Sequence, residues 1–139
     1  MSNLTLSIIK PEAVEDAFTG KILDLIESKG FEIIALKKVQ ASQDQMKTFY
    51  EVHAQRPFYM ELVDYMASSP IIVMVLKKEK AVSSFRDLIG ATDPAEASTG
   101  TIRNLYGQSK AKNSIHGSDS DENATKEIDF WFDSKEIIS

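Results

Sequence analysis

Ile71-Ile72-Val73-Met74-Val75-Leu76 is an unbroken apolar run, and its reading governs everything placed around it. Four of its six side chains are β-branched, which suits a pleated strand better than a helix. The run is far shorter than the ~20 apolar residues that a bilayer crossing needs. Continuous rather than alternating hydrophobicity marks a strand buried on both faces.

Upstream of it, Leu4, Leu6 and Ile8 alternate with polar residues, as in a half-buried strand ending near Lys10-Pro11. Ile22, Leu25 and Ile26 fall at helical spacing between Phe18 and Ser28, and Lys29-Gly30 is a helix stop. Phe31 to Val39 is rich in β-branched residues and reads as a second strand. Ser42-x-x-Gln45 has the form of a capping box, after which Met46, Phe49, Tyr50 and His53 share one helical face. Pro57 breaks that pattern before a further helix carrying Phe58, Leu62, Tyr65 and Met66.

Downstream, Glu79 to Ile89 reads as a helix with Val82, Phe85 and Ile89 inward, closed by Gly90. Asp119 or Ser120 is placed to cap a short helix through Asp121, Glu122 and Lys126. Ile128-Asp129-Phe130-Trp131-Phe132 alternates and is expected to be the last strand. Four strands with helices interspersed in this order imply an α+β fold of the ferredoxin-like kind. Its four-stranded antiparallel sheet would be covered by helices, with a long loop before His116. No repeat, linker or low-complexity segment divides the chain, so residues 1–139 are expected to form one domain.

The composition narrows the class of function. With 42% hydrophobic and 27% charged residues, the chain has the make-up of a globular protein. The absence of cysteine excludes disulfides, thiolate zinc sites and iron–sulfur clusters. The start, Met1-Ser2-Asn3-Leu4, shows no basic segment followed by an apolar one, so the cytoplasm is the expected compartment and no membrane partner is expected. A formal net charge of −5 argues against general nucleic-acid binding. The charge is uneven, however: Arg103, Lys110 and Lys112 lie in a stretch from Thr99 to Asn113 that contains no Asp or Glu. A local cationic segment in an acidic protein suits a small anionic ligand, or else is a solvated loop.

Residues 91–117 are poor in apolar side chains and include Pro94, Gly100, Gly107 and Gly117. A connection of this length is functional or disordered. It ends in Asn113-Ser114-Ile115-His116-Gly117-Ser118-Asp119-Ser120, where one of only two histidines stands beside a glycine, hydroxyls and carboxylates. Imidazole is a good phosphorus nucleophile because its neutral form is available near pH 7 and it leaves again easily. Such chemistry needs one ring nitrogen exposed and the other held. Ser118 and Asp119 lie near enough to orient the site, and Glu127 is placed to fold back towards His116.

Phosphate would also need cationic clamps, for which Arg86 and Arg103 are candidates, with Thr92 as a hydroxyl donor. Taken singly, each also reads as a surface residue. Lys10 emerges from the first strand either into a site or into solvent. Phe58 is either packed core or a platform for a base. Tyr50 and His53 share a face with Met46 and Phe49, and core packing explains His53 best. There is neither a P-loop nor a dinucleotide fingerprint.

The segment around His116 resembles the active-site signature of nucleoside diphosphate kinases, N-x-x-H-G-S-D-[SA]. Ile9-Lys10-Pro11-Glu12, Arg56-Pro57-Phe58, Gly90-Ala91-Thr92-Asp93-Pro94 and Gly100-Thr101-Ile102-Arg103 agree with the family at the corresponding places. The resemblance spans essentially the whole chain. It implies transfer of the γ-phosphoryl group of a nucleoside triphosphate, typically ATP, to a nucleoside diphosphate. The route would be ping-pong through phosphohistidine on His116, with Mg2+ held mainly by the nucleotide phosphates. It further implies that Arg86, Thr92 and Arg103 bind phosphates, and that Lys10 and Asn113 contact the ribose hydroxyls and phosphate region. Phe58 would stack on the base, while Tyr50 and Glu127 would support the histidine, Glu127 partly through Ser118. A homo-oligomer, tetramer or hexamer, is implied as well.

Asp93 and Asp121 depart from the family pattern, which favours asparagine and a small apolar residue there. The end at Ser139, without the longer extension of many eukaryotic members, points to a bacterial type. The alternative is a nucleotide-binding domain on the same fold that no longer catalyses.

Overall fold

A computed structural model describes residues 3–138. Met1 and Ser2, part of the start that lacks a secretion pattern, and Ser139 lie outside the described residues. Strand β1 (Leu4–Ile9) is followed by a short helix α1 (Pro11–Glu15), then α2 (Thr19–Ser28) and β2 (Glu32–Val39). Helices α3 (Gln43–Phe49) and α4 (Tyr59–Met66) precede β3 (Ile71–Lys77), which is joined through α5 (Ala81–Ile89) and α6 (Ile102–Tyr106) to β4 (Ile115–Gly117). Helix α7 (Asp121–Trp131) ends the regular structure apart from a single 3-10 turn.

The sheet order is β2-β3-β1-β4, with every neighbouring pair antiparallel. This is the ferredoxin-like arrangement expected from the sequence: β1 and β2 run parallel with β3 inserted between them. Strand β3 is buried on both faces, as its continuous apolar run requires. Leu6, Ile8, Val73 and Val75 join one core with Met46, Val63, Met66, Ile128 and Trp131 from α3, α4 and α7. Ile9, Ile72, Met74 and Leu76 point the other way, packing on Ile22, Ile26, Phe85, Leu88 and Ile102 from α2, α5 and α6. The period-two alternation of a strand thus feeds two cores.

The capping box at α3 is formed: Gln45 N donates to Ser42 Oγ at 3.0 Å and Ser42 N to Gln45 Oε1 at 2.9 Å. Ser120, rather than Asp119, caps α7 by accepting from Asn123 N at 3.0 Å.

Three local expectations are overturned. Ile128–Phe132 is not a strand. Residues 128–131 complete α7, and Phe132 follows its end. The short stretch alternates, but Ala124, Ile128 and Trp131 are also spaced to bury one helical face, and that longer period prevails. The fourth strand is instead Ile115–Gly117, so His116 sits within the sheet rather than at the end of a loop. The connection from residue 91 is also less irregular than expected. It holds a 3-10 turn at Pro94–Glu96 and α6, which Thr101 caps and fully buried Ile102 anchors. Finally, the chain after Lys10 is not merely a proline turn, because Pro11 opens α1 where its missing N–H costs nothing. Among the described residues no helix is long and apolar enough to cross a membrane.

Candidate active site

Edge strand β4 pairs His116 with Ile8 and Ile115 with Ile9. Cross-strand partners share a face, so the imidazole turns towards α3 and α7 while Ile115 is buried against α5. Gly117 is required by packing: a Cβ there would stand 2.9 Å from the Phe85 ring and 3.2 Å from Ile89.

The ring is held at one nitrogen. His116 Nε2 lies 2.9 Å from Glu127 Oε1, and Ser118 Oγ donates to the same oxygen at 2.7 Å. Fully buried Ser118 is itself fixed to β1, accepting from Leu6 N at 3.2 Å. With Glu127 as acceptor, the proton belongs on Nε2 and the lone pair on Nδ1. His116 is partly exposed, with 21% of its side chain accessible. A hydrogen-bonded nitrogen, a free one and access to solvent are what a nucleophilic imidazole needs.

Cations gather beside it. Buried Lys10 donates from Nζ to Asn113 Oδ1 at 2.7 Å, and Asn113 Nδ2 donates to the Thr92 carbonyl at 3.0 Å. Burial and the Arg103 charge bring Lys10 down to about 8, against a smaller opposing pull from Glu12. Arg103 donates to the carbonyls of Ile115 at 2.8 Å and Gly90 at 3.1 Å, leaving a buried Nε without a partner. Gly90 has φ +90°, and a Cβ there would meet Thr101 Oγ1 at 2.5 Å. Burial first, and then exposed Arg86, lower Arg103 to about 10. Burial and a neighbouring cation thus both disfavour charge on Lys10 and on Arg103, a setting that suits an anion.

The remaining candidates lie along a line of rings. Phe49 packs 5.8 Å from the His116 ring and 4.9 Å from Tyr50; His53 is 6.3 Å from Tyr50 and 5.6 Å from Phe58. Phe58 is 44% exposed, which leaves a face open for stacking. Tyr50 is buried, and burial and then the Glu127 charge raise its phenol far above the usual range. The phenol therefore stays neutral. Thr92 is exposed and joins the cluster through its carbonyl, not its hydroxyl.

A family model described as "Nucleoside diphosphate kinase" matches residues 3–137. The chain belongs to the nucleoside diphosphate kinase family. A curated family member of Nitratiruptor sp. is 54% identical over 134 residues, covering 96% of this chain and 98% of the relative. One of Chlorobium limicola is 50% identical over the same length, covering 96% of each. The solved nucleoside diphosphate kinase of Aquifex aeolicus superposes with a TM-score of 0.96 at 44% identity, covering 98% of this chain and 99% of that one. The relatives are named as kinases, so this chain is read as an enzyme, a transferase.

The two departures from the family pattern have local explanations. Asp93 caps the 3-10 turn by accepting from Ala95 N at 3.0 Å, and Asp121 opens the first turn of α7, where an acidic residue is favoured. Sequence reasoning missed Phe49 as a wall of the histidine, since its spacing on α3 only marked it as core. It also missed Glu12, which is bonded to the backbone at Ser114.

Proposed function

We propose that the protein transfers the γ-phosphoryl group of a nucleoside triphosphate, typically ATP, to a nucleoside diphosphate, and so maintains nucleoside triphosphate pools. The observation that carries this reading is the 2.9 Å contact from His116 Nε2 to Glu127 beside the cationic cluster. Nδ1 attacks the γ-phosphorus in line, the bond from that phosphorus to the bridging oxygen breaks, and the diphosphate leaves. Glu127 holds the Nε2 proton and offsets the positive charge that grows on the ring, with Ser118 keeping its carboxylate in place. A second diphosphate then enters the same pocket and takes the phosphoryl group back from Nδ1.

Arg86, Arg103 and Thr92 bind phosphate oxygens. Lys10 and Asn113 bridge the ribose hydroxyls and the phosphates. Phe58 stacks on the base, and stacking is tolerant of which base it meets. Tyr50 walls the histidine. The donors around the phosphates are cationic, which fits phosphate oxygens and not a metal, so Mg2+ would be held by the nucleotide. When bound there it neutralises phosphate charge.

The chain works as a single domain in the cytoplasm and assembles as a homo-oligomer, tetramer or hexamer. Edge strand β2, with Leu36 exposed, is consistent with assembly. Initial rates with ATP and a second nucleoside diphosphate test the route. Parallel double-reciprocal lines are expected, whereas intersecting lines would show that both nucleotides bind before transfer and would overturn the shuttle.

A further inference from the structure

Among the described residues, three besides glycine have positive φ: Ala17 and Lys80 are exposed, while Ser114 (φ +73°) is fully buried. Ile115 N donates to Asn113 O at 2.9 Å across Ser114, which closes a three-residue γ-turn of the strained, positive-φ kind. A strained backbone persists only where its surroundings over-determine it. Here the turn stands between Asn113, the partner of Lys10, and the strand that carries His116.

The restraints on Ser114 come from several sides. Its carbonyl accepts from Lys10 N at 2.8 Å, and its hydroxyl donates to Asn113 O at 2.5 Å. Its N–H donates to Glu12 Oε2 at 2.8 Å. The other oxygen of Glu12 accepts from the Tyr65 hydroxyl, which ties α1 to α4. A carboxylate accepting a backbone N–H makes a charge-assisted bond, about twice as strong as a neutral one.

We infer that Glu12, braced by Tyr65, is a positioning residue that locks the γ-turn at Ser114 and thereby sets Asn113, Lys10 and His116 in mutual register. Glu12 touches no reacting atom. It acts through the backbone, and it also lies close enough to Lys10 to favour the charged ammonium. Tyr65 is driven to stay neutral by burial and by its bond to Glu12, so it remains a donor.

The kinetic part of the test rests on the phosphohistidine reading above; the spectroscopic part does not. Amide exchange measured by NMR on the unphosphorylated protein reads the lock directly. The Ser114 amide is expected to exchange slowly in the parent and fast in Glu12→Ala, with amides of β2 and α2 unmoved. Single-turnover phosphorylation by saturating Mg-ATP should be slowed about 10- to 100-fold in Glu12→Ala, the scale of a small misplacement of reacting groups. Glu12→Gln keeps a carbonyl acceptor for Ser114 and should recover most of that rate, while Tyr65→Phe should lose less than Glu12→Ala.

A folded Glu12→Ala protein with parental Ser114 exchange, or with the parental saturating rate, overturns the inference. So does a Glu12→Gln protein as slow as Glu12→Ala. Should Glu12→Ala not fold, unchanged exchange and rate in Tyr65→Phe overturn the bracing. A parent protein that never takes up phosphate sinks the kinase reading instead, and the Ser114 amide still decides whether the lock exists.

Discussion

His116 is governed by a single carboxylate oxygen, shared between its Nε2 and the Ser118 hydroxyl. Replacing Glu127 by Gln keeps the shape and removes the charge. A charge-assisted bond contributes about 1.5–3 kcal/mol, so His116 phosphorylation should slow by about 10- to 100-fold with nucleotide affinity nearly unchanged. Rapid-quench measurement checks this, and an equal loss in affinity would place Glu127 in binding instead.

Lys10 predicts two opposite pH slopes. Held at about 8, it is charged below that pH and neutral above it, so diphosphate binding should weaken as pH rises through about 8. For folding, the native value lies below the unfolded 10.5, so the unfolded chain carries more protons between about 8 and 10.5 and Lys10 makes stability rise with pH across that window. Titration calorimetry and denaturant midpoints should both lose these slopes in Lys10→Met. His116 was legible as a candidate from its glycine, hydroxyl and carboxylate neighbours, and Lys10, Arg86 and Arg103 as site residues only through the family resemblance, since each also reads as a surface residue. Glu12 was not, since a carboxylate bonded to a distant backbone N–H leaves no local pattern.

At the scale of elements, β4 is the weak point of sequence reading and the strong point of the site. Three residues, Ile115-His116-Gly117, are too few to show periodicity, and only pairing with β1 makes them a strand. Ile128–Phe132 misleads for the opposite reason, because five residues satisfy the strand period while the eleven of α7 satisfy the helical one. Capping signals and long periodic segments were readable because they depend on neighbours in sequence. Gly117→Ala tests how closely β4 is pinned. Its Cβ must push into Phe85 and Ile89, so the fold should lose about 1–3 kcal/mol and transfer should slow, seen as a lower unfolding midpoint and a reduced saturating rate. Ser120→Ala removes only the cap of α7 and should cost about 1 kcal/mol while leaving transfer near the parental rate.

Across the whole molecule, the two faces of one sheet divide the labour. One core, under α2, α5 and α6, fixes the arginine-bearing helices; the other, under α3, α4 and α7, holds the histidine, its carboxylate and the ring wall. Both meet where β4 closes on β1, and there an acidic protein concentrates positive charge. The whole arrangement is summed in one chemical event. Protein incubated with γ-labelled ATP and Mg2+ should carry an acid-labile, base-stable label that maps to His116, passes to added diphosphate and is lost in His116→Ala. Label on another residue, or phosphate transfer that survives in His116→Ala, would show that the imidazole is not the carrier.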